Sequence, residues 1–226
     1  MAMNMIRNRH TAVLVFGLSI LVVPFFGGCA STSIALRESF GTPKREQLVD
    51  RVDETRDAQE SAKEQFASTL DELKSLSAYE PGELDGAYNR LKSQLDRAET
   101  RAGKVSGKIK SVDRVANALF AEWESELSEF STESLRNASA RQLDDTKSRF
   151  GDVLYAMRKA ESKMSPVLAA FNDQVLFLKH NLNARAIASL DSTLLELETE
   201  IGALIADMEA SIAEANAFID DMSTGS

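Results

Sequence analysis

Apolar residues recur along most of the chain at alternating spacings of four and three. From Leu84 the series runs through Tyr88, Leu91, Leu95, Ala98, Ala102, Val105, Ile109, Val112, Ala116, Leu119 and Trp123 without a break. An apolar residue every three and a half positions stays on one face of an α-helix, and sustained over heptads it predicts coiled-coil packing. A second series runs through Leu143, Phe150, Leu154, Met157, Met164, Leu168, Phe171, Val175, Leu178 and Leu182, with Lys147 and Glu161 as polar intruders. A third comprises Ile187, Leu190, Leu194, Leu197, Ile201, Leu204 and Met208. The earliest is the least apolar: Leu48, Val52, Thr55, Gln59, Ala62, Phe66, Thr69, Leu73 and Leu76. Its polar members are expected to cost stability and hold the register. No segment alternates polarity at the period of a strand.

The breaks divide this pattern into helices over roughly 44–79, 83–130, 139–183 and 186–221. Glu80-Pro81-Gly82 ends the first. Ser131 to Ala138 ends the second, and Ser139 with Gln142 has the form of a capping box for the third. Residues 181–185 admit either a turn or continuous helix. Pro166 is expected to kink the third helix. Each segment is about 50–70 Å long at 1.5 Å per residue, and short connections favour antiparallel neighbours. The expected fold is all-α, an elongated antiparallel bundle or coiled coil of three or four long helices over 44–221, with a frayed tail at 222–226.

Residues 1–28 have a different character. Arg7, Arg9 and His10 precede an apolar run from Thr11 to Phe26, then Gly27-Gly28-Cys29. A basic head, a short apolar run and small residues form a secretory signal. The run is about 24 Å of helix, short of the ~30 Å that a spanning segment crosses. Phe26-Gly27-Gly28-Cys29 resembles the lipobox of bacterial lipoproteins, which implies acylation of Cys29; the competing reading is ordinary signal cleavage after Ala35. Several acyl chains, each contributing ~0.8 kcal/mol per buried CH₂, would hold the protein on a membrane. Residues 29–43 read as the acylated Cys and a flexible tether. Ala30 after the Cys, compared with Gram-negative lipoproteins, implies the periplasmic face of the outer membrane.

The stretches ALRESFGTPKREQLVDRVDETRDAQESAKEQF, ALFAEWESELSEFSTESLR, AMRKAESKMSPVLAAFNDQVLFLKHNLNARAIASL and MEASIAEANAFI carry a wider resemblance. They are similar to a family of bacterial lipoproteins catalogued as domain of unknown function 2959, over essentially the whole mature chain. The resemblance implies a helical envelope protein and supplies no catalytic residue.

Charge narrows the partners. The chain carries 26 Lys+Arg against 35 Asp+Glu, net −9, and residues 1–28 remove two bases and no acid, leaving −11. That sign argues against a nucleic-acid partner. It is also unevenly spread: Arg90 to Arg114 holds eight bases and three acids, Asp191 to Asp221 nine acids and no base. Arg97, Arg101, Lys104 and Lys108 line one flank of the second helix. Pairing with the acidic last helix is the expected use of that flank; an anionic envelope polymer is the functional alternative. Val167 to Leu178 has nine apolar residues in twelve. Buried core is the expectation there, and a docking groove using Val167, Phe171, Val175 and Phe177 is the alternative.

Chemical motifs are sparse. One Cys excludes an internal disulfide, and no Gly-rich phosphate loop or Cys/His zinc pattern exists. Phe177 stands three before His180, so the Glu-x-x-His motif of di-iron bundles is absent. His180 is the one base in the mature chain for a nucleophilic triad, and Glu122, Glu124, Glu126 and Glu129 are paired-carboxylate candidates beside a seam. No metal or cofactor is expected. The leading expectation is a lipid-anchored scaffold, spacer or adaptor that binds a protein partner or self-associates. A carrier or sensor with an apolar groove at 167–178 is second, and an enzyme third.

Overall fold

A computed structural model describes residues 43–76, 81–181 and 191–224. The signal segment 1–28, Cys29, the tether up to residue 42, and Leu182, Ile187 and Leu190 lie outside the described residues. So does the 182–185 stretch where turn and helix compete.

Four long helices account for nearly all that is described: α1 Lys44–Ser75, α2 Leu84–Glu126, α3 Glu133–His180 and α4 Asp191–Thr224. Single 3₁₀ turns at Pro81–Glu83 and Leu127–Glu129 precede and follow α2, and the described residues contain no strand. The packed neighbours are α1–α2, α2–α3, α3–α4 and α4–α1. Cross-helix contacts run in opposite directions at every interface. Glu54 meets Lys108 and Glu72 meets Arg90; Lys74 meets Glu198 and Lys63 meets Glu209. The fold is therefore an antiparallel ring of four, with α1 diagonal to α3 and α2 diagonal to α4. Its longest helix, α3, has 48 residues, or about 72 Å.

The heptad seams become the interior. All nine seam positions of α1 are buried, including Thr55, Gln59 and Thr69. Each buried threonine donates to the carbonyl four residues back, Thr55 to Arg51 and Thr69 to Gln65, both at 2.7 Å. The hydroxyl is satisfied inside its own helix, so the rest of the side chain packs much as valine would. In α2 the seam is buried except at its aromatic members Tyr88 and Trp123, which are half-buried against the core.

In α3 the phase differs from the expected one. The buried stripe runs Leu143, Thr146, Phe150, Val153, Met157, Ala160, Met164, Val167 and Phe171. Lys147 and Glu161 do not intrude on it, because Thr146 and Ala160, one residue earlier, take those places. Leu154 and Leu168 lie half-buried beside it. The α4 stripe continues past Met208 through Ser211, Ala215, Phe218 and Met222.

Two boundaries also differ. Helix α3 starts at Glu133, not at 139, because Thr132 is extended (φ −99°, ψ 116°) and Glu133 places an acid at the positive end of the helix dipole. Ser139 is consequently inside the helix and accepts the Trp123 indole N–H at 2.8 Å. Pro166 lies inside α3, as the sequence places it. Both Pro166 and Ser162, whose carbonyl loses its partner, are exposed, so water can serve the freed acceptor. At the C-terminus the helix extends past the expected 221 to Thr224, with Met222 buried and its carbonyl accepting from Arg45 at 2.7 Å.

Lys44 pairs with Glu122 at 2.8 Å, and Asp221 pairs with Arg149. These contacts set the ends of α1 and α4, and the α2–α3 hairpin overhangs them. Just inside, Phe120, Phe150 and Phe218 from three helices meet edge to face, with centroids 5.7 and 6.1 Å apart.

Phe171 is fully buried, whereas Phe177 is 41% exposed. Phe171→Ala is expected to cost about 3–5 kcal/mol in urea unfolding, and Phe177→Ala no more than about 0.5 kcal/mol. Mid-bundle, Ser211 donates to Gln59 Oε1 at 2.9 Å while the buried Gln59 Nε2 has no acceptor. Replacing the pair together, Gln59→Leu with Ser211→Ala, removes an unsatisfied donor and is expected to raise the unfolding midpoint, by about 1 kcal/mol in free energy. A lower midpoint would show that the pair stabilises the bundle.

Candidate functional site

Helix α2 carries the basic flank toward α1. Arg90 and Lys108 sit at its two ends and are bound across the interface, Arg90 to Glu72 at 3.0 Å and Lys108 to Glu54 at 2.7 Å. Between them Arg97, Arg101 and Lys104 are exposed. Arg97 donates to Ser93 Oγ in its own helix at 2.9 Å. No described acid lies within ion-pair distance of these three.

The expected pairing of this flank with the acidic last helix does not occur. Helices α2 and α4 are diagonal in the ring, and Glu198, Asp207, Glu209 and Asp221 of α4 pair with bases of its two neighbours. Asp207 forms ion pairs with Lys159 at 2.9 Å and Lys163 at 2.5 Å on α3. From α1, Lys74 reaches Glu198 at 2.6 Å and Lys63 reaches Glu209 at 3.7 Å.

The apolar stretch of α3 divides. Val167, Phe171 and Val175 face inward and are enclosed by the other helices, as Leu178 is, while Phe177 and Leu176 stand on the outer surface. A shallow groove of about 410 Å³ lies between α2 and α3 beside Gly103, Ser106, Ser162 and Ser165, where both helices carry small residues. His180 is the exposed last residue of α3. Glu122 and Glu124 are engaged by Lys44 and Lys147. Cys29 is outside the described residues.

Two features escaped the sequence reading. The Gln59–Ser211 contact joins residues 152 apart in the chain, and no local pattern signals it. The Asp207 cluster had a signal, two lysines one turn apart on α3, but only the pairing of α3 with α4 gives it meaning.

The carboxyls of Asp207 and Glu54 are both held below their ordinary values. For Asp207 the hydrogen bond from Lys163 is the largest cause and that from Lys159 the next, with burial opposing. For Glu54 the bond from Lys108 leads, burial opposes it, and Arg51 adds to the lowering. A carboxyl depressed in the folded state stabilises it above the unfolded value, and that contribution disappears as pH falls through the folded value. Stability is therefore expected to hold from neutral pH down to about 4.5 and to drop below about 4. Asp207→Asn is expected to lower stability at pH 7 modestly and to make the acid drop shallower. Urea midpoints of both proteins across pH 2–8 check this, and an unchanged slope would refute the role of Asp207.

No curated protein and no solved structure matches the chain. Among the described residues, no helix is long and apolar enough to cross a membrane. A family described as "Protein of unknown function (DUF2959)" matches residues 34–222, nearly the whole chain beyond the N-terminal apolar segment and including all four seams, and the chain belongs to that family.

Proposed function

We propose that this is a lipid-anchored protein of the bacterial cell envelope, held by acylated Cys29 at the periplasmic face of the outer membrane. On this reading it acts as a scaffold, spacer or adaptor, by binding and not by catalysis. The observation that carries the reading is the rod itself. Four antiparallel helices close around one continuous apolar interior, with α3 about 72 Å long. The chain enters the rod at Pro43, at the end where α2 and α3 overhang. A tether from Cys29 to Pro43 spans at most about 45–50 Å, so an anchor there would hold the rod by one end and leave its sides open to partners.

The carrier reading ranks second. It draws on the exposure of Leu176 and Phe177, but Val167, Phe171 and Val175 are already enclosed, so an apolar ligand at 167–178 would require the bundle to open. The anchor is tested by metabolic labelling with a fatty-acid analogue. The protein is expected to take the label and fractionate with outer membranes, and Cys29→Ser to abolish labelling and release the chain. Equal labelling of the variant would end the lipoprotein reading.

A further inference from the structure

We propose that the exposed α2 flank beside α1 binds a linear acidic polysaccharide, whose carboxylates are held by Arg97, Arg101 and Lys104. Two ion pairs pin this interface, Glu72–Arg90 and Glu54–Lys108. Between them Gln65 donates to Gln94 Oε1 at 2.6 Å, one helical turn from Arg90, which fixes the register. The α1 positions that fall between these pins include Ser61 and Ser68, which are neutral. The opposing α2 flank carries three cations and no acid. Internal pairing accounts for the two end bases and leaves the middle three without an acidic partner among the described residues.

A shortage of acids does not explain this, since the protein has an excess of them. The three positions are spaced by four and three residues, so the charges fall within about 10 Å along the axis. Guanidinium groups bind carboxylates through two parallel N–H bonds, and Lys104 adds a point charge. Hydroxyl and amide groups on the facing helix suit the hydroxyls of sugars. The strongly negative remainder of the molecule selects against a densely charged chain such as a nucleic acid. It tolerates one whose charges are spaced by neutral atoms. The proposal deepens the scaffold reading by naming what the rod holds, and it does not depend on the anchor. Loss of Cys29 labelling and loss of polymer binding are separate results.

The test uses the purified full chain with polygalacturonate as probe, and with polyphosphate and neutral dextran for comparison. Polygalacturonate is expected to bind in a salt-sensitive manner, polyphosphate more weakly and dextran not at all. Arg101→Glu with Lys104→Glu is expected to weaken binding at least about tenfold and to leave the unfolding midpoint unchanged or higher. Lys110→Glu with Arg114→Glu makes the same charge change elsewhere on α2, where both residues are exposed, and is expected to retain binding. Equal loss in both variants would reduce the effect to net charge and overturn the proposal. So would a lowered midpoint in the first variant, or preference for polyphosphate. Self-association of the wild-type chain that this variant abolishes would replace the polymer with a second copy as the occupant.

Discussion

Burial of one heptad stripe from each of four helices is the constraint on which the rest depends. A stripe repeating every three and a half residues presents the same narrow face along a whole helix, and that face needs neighbours on both sides. Closing four helices into a ring satisfies every stripe at once. The interior then continues from Leu48 and Phe218 near one end to Leu76 and Leu178 near the other. Helices of 32 to 48 residues draw their stability from this shared interior more than from local propensity.

The polar members of the stripe show how the interior stays compatible with hydrogen bonding. Thr55, Thr69 and Thr146 return their hydroxyls to the preceding turn. Gln59 cannot do so and meets Ser211 of α4 instead, at the cost of one unsatisfied N–H. A contact of that kind has one good partner, so it discriminates between registers that an all-apolar seam would treat alike. Gln65 and Gln94 act similarly at the half-buried edge of the α1–α2 interface.

Ring order then decides the charge pairs. In a closed ring each helix reaches two of the other three, so the acids of α4 meet the bases of α1 and α3 and never face α2. The ion pairs are largely solvent-exposed and individually weak. Their orientation nonetheless agrees at all four interfaces, which favours this order over its alternatives. The same geometry separates the basic flank of α2 from the one strongly acidic helix, and its middle meets no acid among the described residues.

The sequence by itself determined that the protein is helical, where most of its helices lie, and which residues form the stripes of α1 and α2 and the first half of that of α4. Residues 44–76, 84–123 and 194–208 could be read directly because a strict heptad needs no tertiary information to assign an inward face. The α3 stripe was misread by one residue at Lys147 and Glu161, since Leu154 and Leu168 are as apolar as Val153 and Val167 and only packing separates them. The start of α3 at Glu133 was hidden because residues 133–138 bury nothing, so no periodicity marks them. What only the tertiary structure decided is adjacency. The composition of α2 and α4 invites pairing between them, and nothing local says that they occupy opposite corners. Enclosure of Val167, Phe171 and Val175, exposure of Phe177 and the lack of a described acid beside Arg97, Arg101 and Lys104 all follow from ring order, because burial and pairing depend on neighbours supplied by distant segments.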